Sequence, residues 1–75
     1  MQKIYIAVIR QSELGKRLFN ETWSSRNVYF RSRKNAVVFV NSLDEYEEGY
    51  IEAYKTTTEE INEIARLYGF NDAIK

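Results

Sequence analysis

The stretch "KIYIAVIR", residues 3–10, constrains this chain more than any other. It is β-branched and aromatic, and both of its faces are apolar: Ile4, Ile6 and Val8 alternate with Tyr5, Ala7 and Ile9. A strand with one wet face alternates apolar with polar residues, whereas one apolar on both sides belongs in the middle of a sheet. At 75 residues the chain is one domain, 1–75. A chain of this size buries only roughly 60–65% of the surface its unfolded form exposes. There is no cysteine, hence no disulfide to compensate. Stability must come from packing, helped by any self-association.

Further elements follow from local chemistry. "QSELGK" reads as a turn around Gly15. "RLFNETW", 17–23, alternates like a second strand pairing as a hairpin, with a short helix over "SELGKRLFNE" as the competing reading. "SSRN" is a loop and "VYFR", 28–31, a third strand. In "SRKNAVVFVNSL", 32–43, Ala36, Phe39, Val40 and Leu43 recur at helical spacing behind Ser32, a good N-cap. Arg33 and Lys34 oppose the helix dipole there, and Val-Val-Phe-Val is strand-like, but the length and the cap favour a helix. "DEYEEG", 44–49, is a polar connection and "YIEAYKT", 50–56, a strand. Thr57 and Glu60 match a capping box that opens a helix over 58–68. Gly69 and Phe70 close that helix, and "NDAIK" reads as a frayed tail. The expectation is an α+β domain of order β-β-β-α-β-α. Its mostly antiparallel sheet of three to four strands carries two helices on one face.

Composition narrows the chemistry. With neither histidine nor cysteine, Ser-His-Asp and Cys-His catalysis are excluded and the commonest zinc ligands are missing. The three glycines stand alone, so there is no phosphate loop. Asp44, Glu45, Glu47, Glu48 and Glu52 lack the spacing of a calcium loop, and a chain this short rarely encloses a substrate pocket. The expectation is a non-catalytic protein without metal or cofactor. The first apolar patch, Ile4 to Ile9, is far short of the ~18 residues of a membrane span and is not followed by a cleavage site. A cytoplasmic location follows as an expectation.

The formal net charge of zero hides an asymmetry. Residues 1–43 carry eight basic side chains against two acidic, a balance of +6; residues 44–75 carry nine acidic against three basic, a balance of −6. In a strand over 50–56, Tyr50, Glu52 and Tyr54 share one face, with Ile51 and Ala53 on the other, toward the helices. Tyrosines rimmed by charge are characteristic of protein interfaces. Glu45, Glu47, Glu48, Tyr50, Glu52 and Tyr54 are therefore the candidate site of a protein-binding module that docks on a basic surface of a larger protein. One version is an inhibitor that presents carboxylates where phosphates would lie in a nucleic-acid-binding groove, a device suited by size and charge to small phage proteins that block host defences. The alternative is a nucleic-acid binder using Trp23, Arg26, Tyr29, Arg31, Arg33 and Lys34, where basic and aromatic side chains interleave. Its zero net charge is not that of a typical nucleic-acid binder. Self-assembly into a homodimer is a third reading, because oppositely charged halves and an unpaired strand edge both invite a second copy.

Overall fold

The computed structural model describes residues 1–19 and 25–72. β1 (Gln2–Gln11) lies between β2 (Arg26–Phe30) and β3 (Glu47–Thr56), antiparallel to both, in the order β2-β1-β3. Three helices complete a small α+β fold: α1 (Glu13–Phe19), α2 (Arg33–Asn41) and α3 (Thr58–Leu67). The central place expected for the first strand is the one it takes. Register fixes which side chains share a face, because directly opposed residues point the same way. Tyr5, Ala7 and Ile9 stand beside Phe30, Val28 and Arg26 of β2 and beside Ala53, Ile51 and Gly49 of β3. Ile4, Ile6 and Val8 stand beside Tyr54, Glu52 and Tyr50, with Tyr29 and Asn27 on the β2 side.

α2 covers the first of these faces. Ala7, Ile9, Phe30 and Ala36 are buried together, with Phe39, Val40, Leu43 and Ile51 packed around them. Ser32 is the N-cap, as its residue type implies, and its side chain accepts the Asn35 N–H. α3 covers one end of the opposite face, where Ile61 and Phe70 pack on Ile4. Each large side chain buried in this way contributes about 1.5–3 kcal/mol relative to exposure. Thr57 caps α3 by accepting the Glu60 N–H at 3.2 Å. The Glu60 carboxylate does not complete the reciprocal half of the box; it accepts from the Thr56 and Tyr54 hydroxyls instead. Gly69, at φ 76°, ends the helix in the left-handed conformation that glycine adopts without strain.

Four expectations are corrected. The two long helices lie on opposite faces of the sheet, because β1 is apolar on both sides and each side must be covered. Residues 17–19 belong to a helix rather than a strand, so the order is β-α-β-α-β-α; Asn20 to Trp23 lie outside the described residues. The Ser12 hydroxyl accepts the Gly15 N–H at 3.1 Å and the Ser12 carbonyl accepts the Lys16 N–H at 3.0 Å, which starts that helix locally. β3 begins at Glu47, three residues earlier than the polar composition suggests, and Ala53 is exposed beyond the reach of α2. The tail is not frayed at Asn71 and Asp72. Asn71 N–H donates to the Tyr29 carbonyl at 2.8 Å. Asp72 accepts the backbone N–H groups of Arg31 (2.8 Å) and Ser32 (2.9 Å) and the Asn35 amide (3.0 Å). A carboxylate is thus placed at the start of α2, which offsets the unfavourable Arg33 and Lys34.

Gly15 is the close-approach point of α1: a Cβ there would collide with the carbonyl of Tyr46. That carbonyl already accepts the Ser12 N–H at 3.0 Å and cannot move freely. Helix propensity alone makes Gly15→Ala stabilising by up to about 1 kcal/mol, whereas the clash costs about 1–3 kcal/mol. The expected result is a net loss, read as a lower urea midpoint at unchanged slope; a higher midpoint would remove the close approach. For Asp72, burial pushes the carboxyl pKa up, but the Asn35 amide and the backbone N–H groups of Arg31 and Ser32 outweigh it and hold the pKa below its ordinary 3.8. A lowered folded-state pKa contributes stability above the unfolded value that is lost as pH falls through the folded one. Thermal melts from pH 6 down to pH 2 should therefore show an acid-sensitive component that Asp72→Asn lacks. At pH 7 the same substitution should cost about 1–2 kcal/mol.

Candidate functional site

β1 and β3 build a partly open sheet face between them. α3 covers it only at the Ile4 end, so Ile6 and Val8 remain half-buried in the middle of the sheet. Strand alternation brings Tyr50, Glu52 and Tyr54 onto this face beside Val8, Ile6 and Ile4 respectively. Tyr50 is 50% and Tyr54 46% exposed. On the β2 side Asn27 and Tyr29 continue the surface, and Tyr29 stacks on Tyr68 with ring centroids 5.3 Å apart. A shallow cleft of about 300 Å³ lies beside this stack, between Asn27, Tyr29 and Tyr68 on one side and Phe70 and Asn71 on the other. The result is an apolar strip along β1 flanked by tyrosine rings.

The charges on and around this face are partly satisfied within the chain. Glu48, on the same face, meets Arg10 at 2.9 Å. Glu47 points to the α2 side and meets Arg26 at 3.3 Å, with its side chain 26% exposed. Tyr54 donates its hydroxyl to Glu60 at 3.3 Å. Among the described residues the carboxylates of Glu52 and Glu45 have no hydrogen-bond or ion-pair partner. Glu45 lies in the turn before β3, where its carbonyl accepts the Ser12 hydroxyl. Asp44 is used locally, accepting the Tyr46 N–H at 2.9 Å. Of the six residues proposed from sequence, Glu48, Tyr50, Glu52 and Tyr54 are therefore gathered on one face. Glu45 sits at its end and Glu47 on the other side of the sheet.

The alternative basic and aromatic set is spread out. Arg26 faces α2 beside Ile9, while Tyr29 is on the opposite face. Arg31 lies over the Phe70 ring, 4.5 Å from its centroid. Arg33 and Lys34 are exposed in the first turn of α2, and Trp23 lies outside the described residues. Among the described residues no three His, Cys, Asp or Glu side chains converge on a point that could hold a metal ion, and no helix is long and apolar enough to cross a membrane.

Sequence reasoning missed the contribution of Ile6, Val8, Asn27 and Tyr68 to this surface. The signal for the first two was present: with both faces of β1 apolar, one short helix cannot cover the second face along its whole length. No protein-family model matches the chain, and no curated protein or solved structure is similar to it.

Proposed function

We propose that this chain is a small non-catalytic protein-binding module that docks through the open face formed by β1 and β3 on a basic surface of a larger protein. The observation that carries this reading is the juxtaposition of half-buried Ile6 and Val8 with the half-exposed rings of Tyr50 and Tyr54 around the carboxylate of Glu52, which has no partner among the described residues. An apolar centre, aromatic side chains with polar tips and a charged rim are the anatomy of a protein interface. An arginine is the complementary group: its guanidinium stacks on a tyrosine ring and forks onto a carboxylate in one geometry. Glu45 extends the acidic end, while Glu48 reaches the partner only alongside Arg10. One form of such a module is an inhibitor that occupies a nucleic-acid-binding groove, with carboxylates in the place of phosphates, as a phage protein acting in a host cytoplasm would.

The test separates docking from folding. Tyr50→Ala and Glu52→Lys alter exposed side chains and should leave the circular dichroism spectrum and melting midpoint within about 0.5 kcal/mol of the parent. Capture of a specific protein from host extract should fall by roughly tenfold or more for either variant, the range of an interface hot spot. Asn41→Lys, at the exposed end of α2 on the opposite side of the sheet, should leave it unchanged. Hydrogen exchange with the purified partner should then protect β1 and β3. Undiminished capture by the Tyr50→Ala, Glu52→Lys double variant would sink the proposal. Salt-sensitive gel shifts with DNA or RNA alone would move the assignment to Arg31, Arg33 and Lys34.

A further inference from the structure

The two edges of the sheet are treated differently. At the β2 edge, the outward carbonyl of Tyr29 is taken by Asn71 N–H. That one bond also sets the phase of the whole ladder. Because Tyr29 points away from β1, its pair with Ile6 is a non-hydrogen-bonded one, and Ile6 must turn its own N–H and C=O toward β3. Even-numbered residues of β3 therefore bond β1, and Gly49, Ile51, Ala53 and Lys55 present their backbone groups outward. Glu47 follows the same phase, since its N–H goes out to the Asp44 carbonyl at 3.3 Å. Among the described residues nothing meets the outward groups from Gly49 to Lys55. α3 leaves the end of β3 and runs to Tyr29 and Phe30's side of the sheet, where Tyr68 stacks and Asn71 binds, so it does not cover the β3 edge.

An open edge takes a strand, and the side chains here say which one. Lys55 stands directly opposite Lys3, an unfavourable like-charge pair without a carboxylate partner among the described residues. Glu47, at the other end of β3, uses one oxygen on Arg26. If β3 meets a second β3 antiparallel with Ile51 opposite Ile51, Glu47 falls opposite Lys55 of the second copy, at both ends of the junction. Gly49 falls opposite Ala53, and both are outward-pointing, so the backbone phases match. On the tyrosine face, Tyr50 falls beside Glu52 and Tyr54 beside Glu48 of the second copy, and no two carboxylates are opposed. Of the two neighbouring registers in the same phase, the one centred on Glu52 would set Glu52 against itself, the one centred on Tyr50 would set Glu48 against Glu52, and both lose the pairing of Glu47 with Lys55.

We propose that β3 is a self-pairing edge, through which two copies of this chain join about a twofold axis at Ile51 into one continuous six-stranded antiparallel sheet. The axis is perpendicular to the sheet, so the open tyrosine faces lie side by side rather than against each other. The inference is carried by the backbone edge, and its amide-exchange readout is separate from partner capture by the face, although the junction brings Tyr50 of one copy beside Glu52 of the other. Sedimentation equilibrium across a concentration series should show a monomer–dimer equilibrium that weakens with salt. Over the same series, amide exchange read by NMR should slow for Gly49, Ile51, Ala53 and Lys55, residues whose N–H groups meet no acceptor among the described residues. Ala53→Pro removes an N–H that bonds nothing among the described residues, yet it blocks the junction, and should raise the dimer dissociation constant roughly tenfold or more. Lys55→Glu should also weaken the dimer. A chain that stays monomeric with those four amides unprotected overturns the proposal, as does a dimer in which they still exchange freely. If Ala53→Pro fails to fold, the exchange pattern of the unaltered chain decides alone.

Discussion

Everything in this fold depends on β1 holding two ladders at once. Its ten residues pair with β3 along their whole length and with β2 over half of it, and its side chains supply the centre of both cores. Small domains usually concentrate their apolar surface on one side of a sheet and leave the other side wet. Here the apolar residues of β1 stand on both sides, and the helices are divided accordingly. α2, with the broader apolar stripe, covers one side as far as Ile51. α3 reaches only the end of the other, and the uncovered remainder is the tyrosine-flanked strip. The open surface is thus a product of the packing arithmetic of one strand: two apolar faces, one and a half covers.

The electrostatics show the same economy. The opposite charges of the two halves of the chain are brought together by the sheet itself, because antiparallel pairing sets β3 beside the basic N-terminal strand. Glu48 meets Arg10 on the adjacent strand, and Glu47 reaches over β1 to Arg26 on the far strand. Such exposed pairs are worth about 0–1 kcal/mol each, too little to determine the fold, but they remove two carboxylates from the acidic cluster. Asp72 has a larger structural role. It gathers the turn between β2 and α2 through three donors and brings the chain after α3 back against the β2 edge.

What was legible in the sequence was whatever a few adjacent residues decide. Ser32 and Thr57 mark helix starts because a cap needs only the next three residues, and Gly69 marks an end for the same reason. The alternation in β1 and β3 placed Tyr50, Glu52 and Tyr54 together. The failures are non-local. The helix at Glu13–Phe19 depends on Gly15 lying against the backbone of Tyr46, thirty-one positions away, and on the T-shaped contact of Phe19 with the ring of that tyrosine. Without that contact, the alternating residues after Arg17 look like a strand. The docking of Asn71 and Asp72 depends on backbone groups some forty positions earlier, the Tyr29 carbonyl for the one and the Arg31 and Ser32 N–H groups for the other. The register with β3 set Ile6 and Val8 beside Glu52 and Tyr50, and the early start of β3 at Glu47 turned that carboxylate to the other side of the sheet.

The order of the strands also carries a kinetic consequence. The β1–β3 ladder joins residues separated by 36 positions at one end, Gln11 to Glu47, and by 54 at the other, Gln2 to Thr56. Most of the chain must be reeled in before the sheet gains its longest row of bonds, and topologies dominated by such distant partners fold slowly for their size. During that search β1 can reach β2 first, leaving its other side bare to any extended segment in the vicinity. The crowded conditions under which the polypeptide is made, and not its final energy alone, therefore bear on how much of it reaches the native arrangement.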